Sequence, residues 1–316
     1  MLSFVVRRLL YAIPVLFIVS LISFSLMQLV PGDPAIILAG LNATPAEVDE
    51  VRQRLGLDQP FHVQLLSWYA NLLQGDLGRS MLLGRDVVDV TLERLPVSIS
   101  IALYAFVITV AVGLVLGIVA ALFPNTWIDQ SVMTVALIGV SLPNFWLALM
   151  LIVLFAVQLG WLPTAGYIDF RTDFVGWLRS TTLPAVSLAM LQMGLLARIT
   201  RSTMLEVLRQ DYIRTARAKG LPEYVVVGKH ALKNVMIPVI TVVGIIFSLL
   251  LSGSVIIEVI FSIPGVGSLL GSAILRRDYP VIQGGLLLVA TMLLLLNLLV
   301  DVLYAYLDPR VRYDGD

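Results

Sequence analysis

The chain has no cysteine, only two histidines and few charges: Asp, Glu, Lys and Arg make up 13% of its 316 residues, against roughly a quarter in a soluble domain. Each shortage excludes a chemistry. Without cysteine there is no disulfide, no iron–sulfur ligation and no thiol reactivity, whatever the compartment. His62 and His230 are too few for a histidine-based metal centre. Twenty-one basic side chains cancel twenty-one acidic ones, so no global field draws nucleic acid or an acidic substrate. What is abundant is apolar, at 59% of the chain. The length would suit two soluble domains, but the composition is that of a polytopic membrane protein.

A bilayer core needs about 20 apolar residues as helix, and charge-free runs of that kind lie at Leu9–Val30, Val97–Phe123, Ser131–Leu159, Thr181–Ala197, Val235–Ile257 and Val281–Val300. Six spans are expected. Arg7 and Arg8 before the first run resemble the start of a secretory signal. That run, however, has full spanning length and leads into Gln28-Leu29-Val30-Pro31-Gly32-Asp33 rather than a small-residue cleavage site, so it reads as an uncleaved first helix. Orientation follows the basic residues of the short loops. With both termini inside, the inner segments hold Arg7 and Arg8, a dense group from Arg198 to Lys233, and Arg310 and Arg312; the short outer loops hold only Arg171, Arg179, Arg276 and Arg277. An N-in, C-in topology is therefore expected. Trp127, Trp161, Tyr11, Tyr304 and Tyr306 fall near span ends, where amphipathic rings favour the interface.

Two loops are long enough to fold. In the outer one, residues 31–96, Thr44-Pro45-Ala46-Glu47 supplies an N-cap, a first-position proline and a capping-box acid, predicting a helix that stops at Gly56. A second helix is expected from Pro60 to Gly75, with Phe61, Leu65, Trp68 and Leu72 on one face. This extracytoplasmic cap is read as a docking place for an external partner. In the inner loop, residues 198–234, Leu205, Leu208, Tyr212 and Ala216 recur at helical spacing, Gly220 suits a C-terminal cap and Pro222 ends the helix. An amphipathic helix at the cytoplasmic face is predicted, with a helix held only by acidic membrane lipid as the alternative.

Several chemistries lack their residues. The Gly228-Lys229 pair is followed by His230 and has Glu223 where a phosphate-cradling loop needs glycine, so no nucleotide site is expected. A zinc protease would show His-Glu-x-x-His and a serine hydrolase Gly-x-Ser-x-Gly; neither occurs. An ion-coupled secondary transporter is the alternative reading, but such carriers usually hold ionisable groups near the midplane, and all six runs lack them. Glu258 and Asp301 sit at span ends and read as hydrated or paired interfacial groups. Ser141-Leu142-Pro143-Asn144 interrupts the third run, where Pro143 frees a carbonyl and should kink the helix. Ser141, Asn144, Gln192, Ser248, Ser252, Ser254 and Asn297 are candidates for facing a pathway, though small hydroxyl residues equally serve helix packing.

The inner loop, with Leu205, Arg214-Thr215-Ala216, Gly220-Leu221, Val227, Leu232 and Lys233 in fixed spacing, resembles the EAA loop of binding-protein-dependent ABC importer permeases. The resemblance covers most of the chain. Arg7-Arg8-Leu9-Leu10, Leu29-Val30-Pro31-Gly32-Asp33-Pro34, Leu55-Gly56-Leu57-Asp58-Gln59-Pro60, Gly75-Asp76-Leu77-Gly78-Arg79-Ser80 and the stretch Asp211 to Gly220 are similar to the first permease subunit of the dipeptide/oligopeptide/nickel branch. Arg214 stands where the loop's name expects Glu, and the apolar-Pro element appears only at Ile237-Pro238. The resemblance implies an all-α type I importer permease core, 1–316 as a single transmembrane permease domain in a bacterial cytoplasmic membrane, and 198–234 as the coupling loop. Tyr212, Arg214, Thr215, Ala216, Arg217, Gly220 and Leu221 would then engage an ATPase subunit, small Ala216 and Gly220 allowing close approach and Arg214 and Arg217 pairing with its acids. Implied partners are a homologous second permease, two ATPase subunits that carry the ATP and Mg, and an extracytoplasmic binding protein. The implied cargo is short peptides, with glutathione, nickel chelates, haem, opines and oligosaccharides as the other cargoes of related permeases.

Overall fold

The computed structural model describes residues 2–29, 34–39, 43–54 and 56–307. Val30 to Asp33, Leu55, Arg310 and Arg312 lie outside them, as do the side chains of Asp301, Tyr304 and Tyr306. Among the described residues the regular structure is helical, apart from an isolated bridge between Arg79 and Asp86. The helices are α1 (Leu2–Leu29), α2 (Pro34–Ala39), α3 (Pro45–Arg54), α4 (Phe61–Leu73), α5 (Val87–Leu122), α6 (Trp127–Ser141), α7 (Asn144–Leu151), α8 (Phe174–Leu208), α9 (Asp211–Ala218), α10 (Glu223–Val225), α11 (Leu232–Ile260), α12 (Val266–Arg276) and α13 (Tyr279–Leu307). Two wider π turns, Ile152–Gln158 and Val226–Ala231, extend α7 and join α10 to α11. Among the described residues five helical runs are long and apolar enough to cross a bilayer, and α6 with α7 makes a sixth if that bent pair is one span.

The third apolar run is not the kinked continuous helix the sequence suggested. Leu142, the residue before Pro143, is extended at φ −88° and ψ 132°, because the proline ring disfavours helical geometry in its predecessor. The chain leaves α6 there and α7 sets off at 107° to it.

The chain divides into two compact units. One comprises Val97–Pro264 with the chain from Leu296. Here α8 packs against α6, α7 and α11 around Leu188, Leu196, Met204, Ile246, Leu250 and Ile257. Close approach between α6 and α8 requires glycine: a Cβ on Gly194 would stand 2.6 Å from the carbonyl oxygen of Ala136. Small residues serve this purpose inside a bilayer, where apolar burial alone does not drive helices together.

The other unit comprises Leu2–Pro96 with Gly265–Leu295. Its capping box is formed as expected: Glu47 Oε2 accepts the Thr44 N–H at 2.7 Å and the Thr44 hydroxyl at 2.9 Å. These two donors, the backbone one foremost, hold the exposed Glu47 carboxyl below the usual carboxylate range. Helices α3 and α4 end at Arg54 and Leu73, two residues before Gly56 and Gly75. Phe61 and Trp68 of α4 each lie 5.5 Å from the Phe24 ring of α1, while Tyr69 shares a 2.8 Å hydrogen bond with Ser20. Asp278 binds the loop before α5, accepting the Ser80 hydroxyl at 2.5 Å and the N–H groups of Met81 and Leu82 at 3.1 and 3.2 Å.

Candidate functional site

The sequence predicted one amphipathic helix through Leu205, Leu208, Tyr212 and Ala216; the structure divides it. Helix α8 closes on Leu208, with the N–H groups of Arg209 and Gln210 bonding three residues back to Glu206 and Val207. Gln210 is extended, and α9 starts afresh at Asp211, an acid suited to a helix's first turn. Leu205 and Leu208 thus belong to α8, while Tyr212 and Ala216 belong to a separate eight-residue helix.

One face of α9 turns inward. Ile213 and Ala216 are buried in the same cluster as Met204, Val226 and Ala231. The small Ala216 therefore lets α9 approach this chain's own helices. The other face is open: Tyr212, Arg214, Thr215, Gly220 and Leu221 are exposed, with Arg214 held loosely by Asp211 at 3.4 Å. Thr215 returns its hydroxyl to the Asp211 carbonyl at 2.9 Å.

The helix ends as its sequence predicts. Gly220 adopts φ +77°, its N–H reaches the Arg217 carbonyl at 2.9 Å and the Leu221 N–H reaches that of Ala216 at 3.4 Å. These are the two reverse bonds of a Schellman cap. The turn is fixed again from outside, because Arg217 forks onto Glu223 across it, Nη2 to Oε1 at 2.5 Å and Nε to Oε2 at 3.2 Å. Arg217 is thus engaged within the chain, and the more exposed cation of α9 is Arg214. Asn234 on α11 ties the start of α9 in place by donating to the Tyr212 hydroxyl at 2.8 Å. A short helix is thereby held rigidly where the chain turns from α8 toward α11.

The candidate pathway residues do not form one cluster. Ser252 donates to the Ser248 carbonyl at 3.1 Å, and the Ser248 hydroxyl donates to Asn297 Oδ1. Ser141 is exposed at the end of α6 and bonds back to Leu137, Asn144 opens α7 across the break, Gln192 is buried in α8 and Ser254 is buried in α11. Of the two readings of Glu258, hydrated or paired, the structure shows the second: it is fully buried and its Oε1 accepts the hydroxyls of Ser98 at 2.7 Å and Ser254 at 3.0 Å.

The sequence reading also missed a buried ion pair between Asp129 and Arg201. No local pattern links residues so far apart, and Arg201 counted simply as one basic residue of the inner loop. Among the described residues no three His, Asp or Glu side chains gather as a metal site requires.

Comparison with known proteins places this geometry. Residues 113–313 match the family described as "Binding-protein-dependent transport system inner membrane component", and residues 1–102 match "Binding-prot-dependent transport system membrane comp, N-term". A protein of Brucella abortus (strain 2308), a peptide transport system permease by name, is 54% identical over 99% of this chain and 100% of its own length. The dipeptide transport system permease protein DppB of Alkalihalophilus pseudofirmus is 43% identical and the glutathione transport system permease protein GsiC of Escherichia coli O6:H1 is 44% identical, each over 99% of this chain and 100% of the relative. A solved structure of the MetNI methionine ABC transporter, in an inward-facing conformation, aligns with a TM-score of 0.54 at 19% identity, over 70% of this chain and 96% of that one. That likeness is one of fold.

Proposed function

The chain belongs to the family of binding-protein-dependent transport system inner membrane components, and from that premise we propose that it is one half of a translocation path for short peptides, driven by ATP hydrolysed on separate subunits. As a member it is a multi-pass permease of a bacterial inner membrane, a transport component rather than an enzyme. Two ATPase subunits holding ATP and Mg, a second homologous permease and an extracytoplasmic binding protein complete the machine. Six helices alone would leave one side of any path open to lipid, which a second permease closes. ATP draws the ATPases together, the coupling helices move with them, and the path opens toward the binding protein.

The observation that carries this reading is α9. A helix capped at Gly220, joined to Glu223 through Arg217 and buttressed by Ile213 and Ala216 is braced against the Val226–Ala231 turn that leads into α11, so a push on the exposed Tyr212, Arg214 and Leu221 is directed into that turn. The short-peptide cargo is supported by the relatives named for peptide, dipeptide and glutathione transport. The N-in, C-in orientation puts α9 inside and rests on the basic residues of the short inner segments; the Asp129–Arg201 pair adds that the α5–α6 turn and the chain after the fourth span share one side.

A photocrosslinker at Leu221 in the assembled complex tests the assignment. Crosslinks to an ATPase subunit are expected; crosslinks to lipid alone, in membranes competent for uptake, would contradict it.

A further inference from the structure

Glu258 is a buried acid to which the coupling role of α9 gives no task. It stands on α11, wholly buried, at the end remote from α9: Glu223–Ile260 is a single helical run of 38 residues. At roughly 1.5 Å per residue the carboxyl lies about 50 Å along that run from the turn after α9. A buried carboxyl is a poor way to gain stability, since a well-packed apolar side chain of similar volume often does as well or better. Ionisable groups kept within spanning helices therefore point to function.

The partners of Glu258 are arranged for exchange. Ser98 reaches its Oε1 from another helix, α5, at 2.7 Å, while Ser254 reaches the same oxygen from one turn earlier on α11 at 3.0 Å. Ser254 has a single hydroxyl proton and a second acceptor, the Leu251 carbonyl, also at 3.0 Å. While Ser98 serves the carboxyl, the Ser254 proton can rest on Leu251; when Ser98 withdraws, it can turn to Oε1. Withdrawal of Ser98 then breaks its bond to Oε1 between α5 and α11 while Ser254 still serves that oxygen, which lowers the cost of release.

We propose that Ser98 and Glu258 form a releasable latch between α5 and α11 at the end of the bundle remote from the coupling helix, with Ser254 as the stand-in donor that makes release reversible. Glu258 is thus a positioning residue for transport, and this inference rests on the proposed ATP-coupled importer. Because α9 is braced against α10 and α11, displacement at α9 is transmitted along the same run that carries Glu258.

The test places spin labels at two exposed positions near the latch, Leu103 on α5 and Ile256 on α11, in this cysteine-free chain assembled with cysteine-free partner subunits. Without nucleotide, wild type and Glu258→Gln, which keeps an acceptor for both hydroxyls, should show one short distance. Ser98→Ala and Glu258→Leu should shift the ratio of long to short distances by about three- to tenfold, the value of one hydrogen bond between spanning helices. With ATP and vanadate, wild type should move to the long distance and Ser254→Ala should move less. A nucleotide-responsive wild type alongside unshifted Ser98→Ala and Glu258→Leu would overturn the latch alone. A wild type that ignores nucleotide would overturn release together with the ATP coupling beneath it. Ser98→Ala removes a single oxygen and keeps the test decisive where Glu258→Leu fails to assemble.

Discussion

Arg201 on α8 grips Asp129 on α6 through two parallel bonds, Nε to Oδ1 at 2.5 Å and Nη2 to Oδ2 at 2.6 Å, and the Asn125 N–H adds a third at 2.9 Å. The carboxylate is buried while a quarter of the Arg201 side chain stays exposed. Removing the cation alone therefore leaves a buried charge uncompensated. Arg201→Ala should cost roughly 3 kcal/mol, the lower end for a broken buried pair given that partial exposure. Asp129→Leu combined with Arg201→Met should restore much of it, as a change that removes both charges. Thermal melts of the purified chain in detergent would show this; simple additivity of the single and double variants would contradict the pairing.

Acid should loosen the start of α3. Glu47 titrates below the usual carboxylate range because Thr44 donates to its charged form. A depressed folded value means that the contribution is complete above the ordinary glutamate value, near about 4.3, and is lost as pH falls through the folded one. Amide exchange in α3, compared between wild type and Glu47→Gln at each pH, isolates this term from the intrinsic rates. The wild-type advantage should be full at about pH 6 and gone once Glu47 is protonated; an advantage that survives full protonation would contradict the capping box.

Topology is open to direct labelling, since the chain has no cysteine of its own. Cysteines placed at Glu47 and Arg79 should react with a membrane-impermeant reagent in intact cells. Those at Arg217 and Arg310 should react only after the membrane is opened. Reaction at 217 in sealed cells would reverse the orientation.

The helices were legible wherever a local rule determined them. Spans could be read from charge-free runs, the α3 cap from Thr44 and Glu47, and the end of α9 from Gly220, because each depends on neighbours within a few residues. Interruptions were harder. The sequence marked Pro143, but Pro96, Pro184 and Pro238 all lie inside continuous helices, so a proline by itself does not say whether a helix ends there. At Arg209 and Gln210 no breaker residue is present, and helical periodicity continued unbroken across the turn. Tertiary polar contacts were invisible: Asp129 finds Arg201 and Ser98 finds Glu258 only after the bundle forms. For the same reason Ala216 and Arg217 looked outward in sequence, although one is buried in the core and the other is paired with Glu223.

Coupling of this chain to an ATPase through α9 stands or falls at Gly220. At φ +77° any other residue carries a backbone cost of about 1 kcal/mol, while no atom stands within 4 Å of where a Cβ would go. Gly220→Ala should therefore fold and assemble with a modest loss, and Gly220→Trp should insert normally yet project its ring into the space a partner must occupy. Pull-down of the ATPase subunits and peptide uptake, measured in the same membranes, read both consequences at once. Gly220→Trp is expected to lose association and uptake together while membrane insertion is kept; normal association with normal uptake in that variant would contradict coupling through α9.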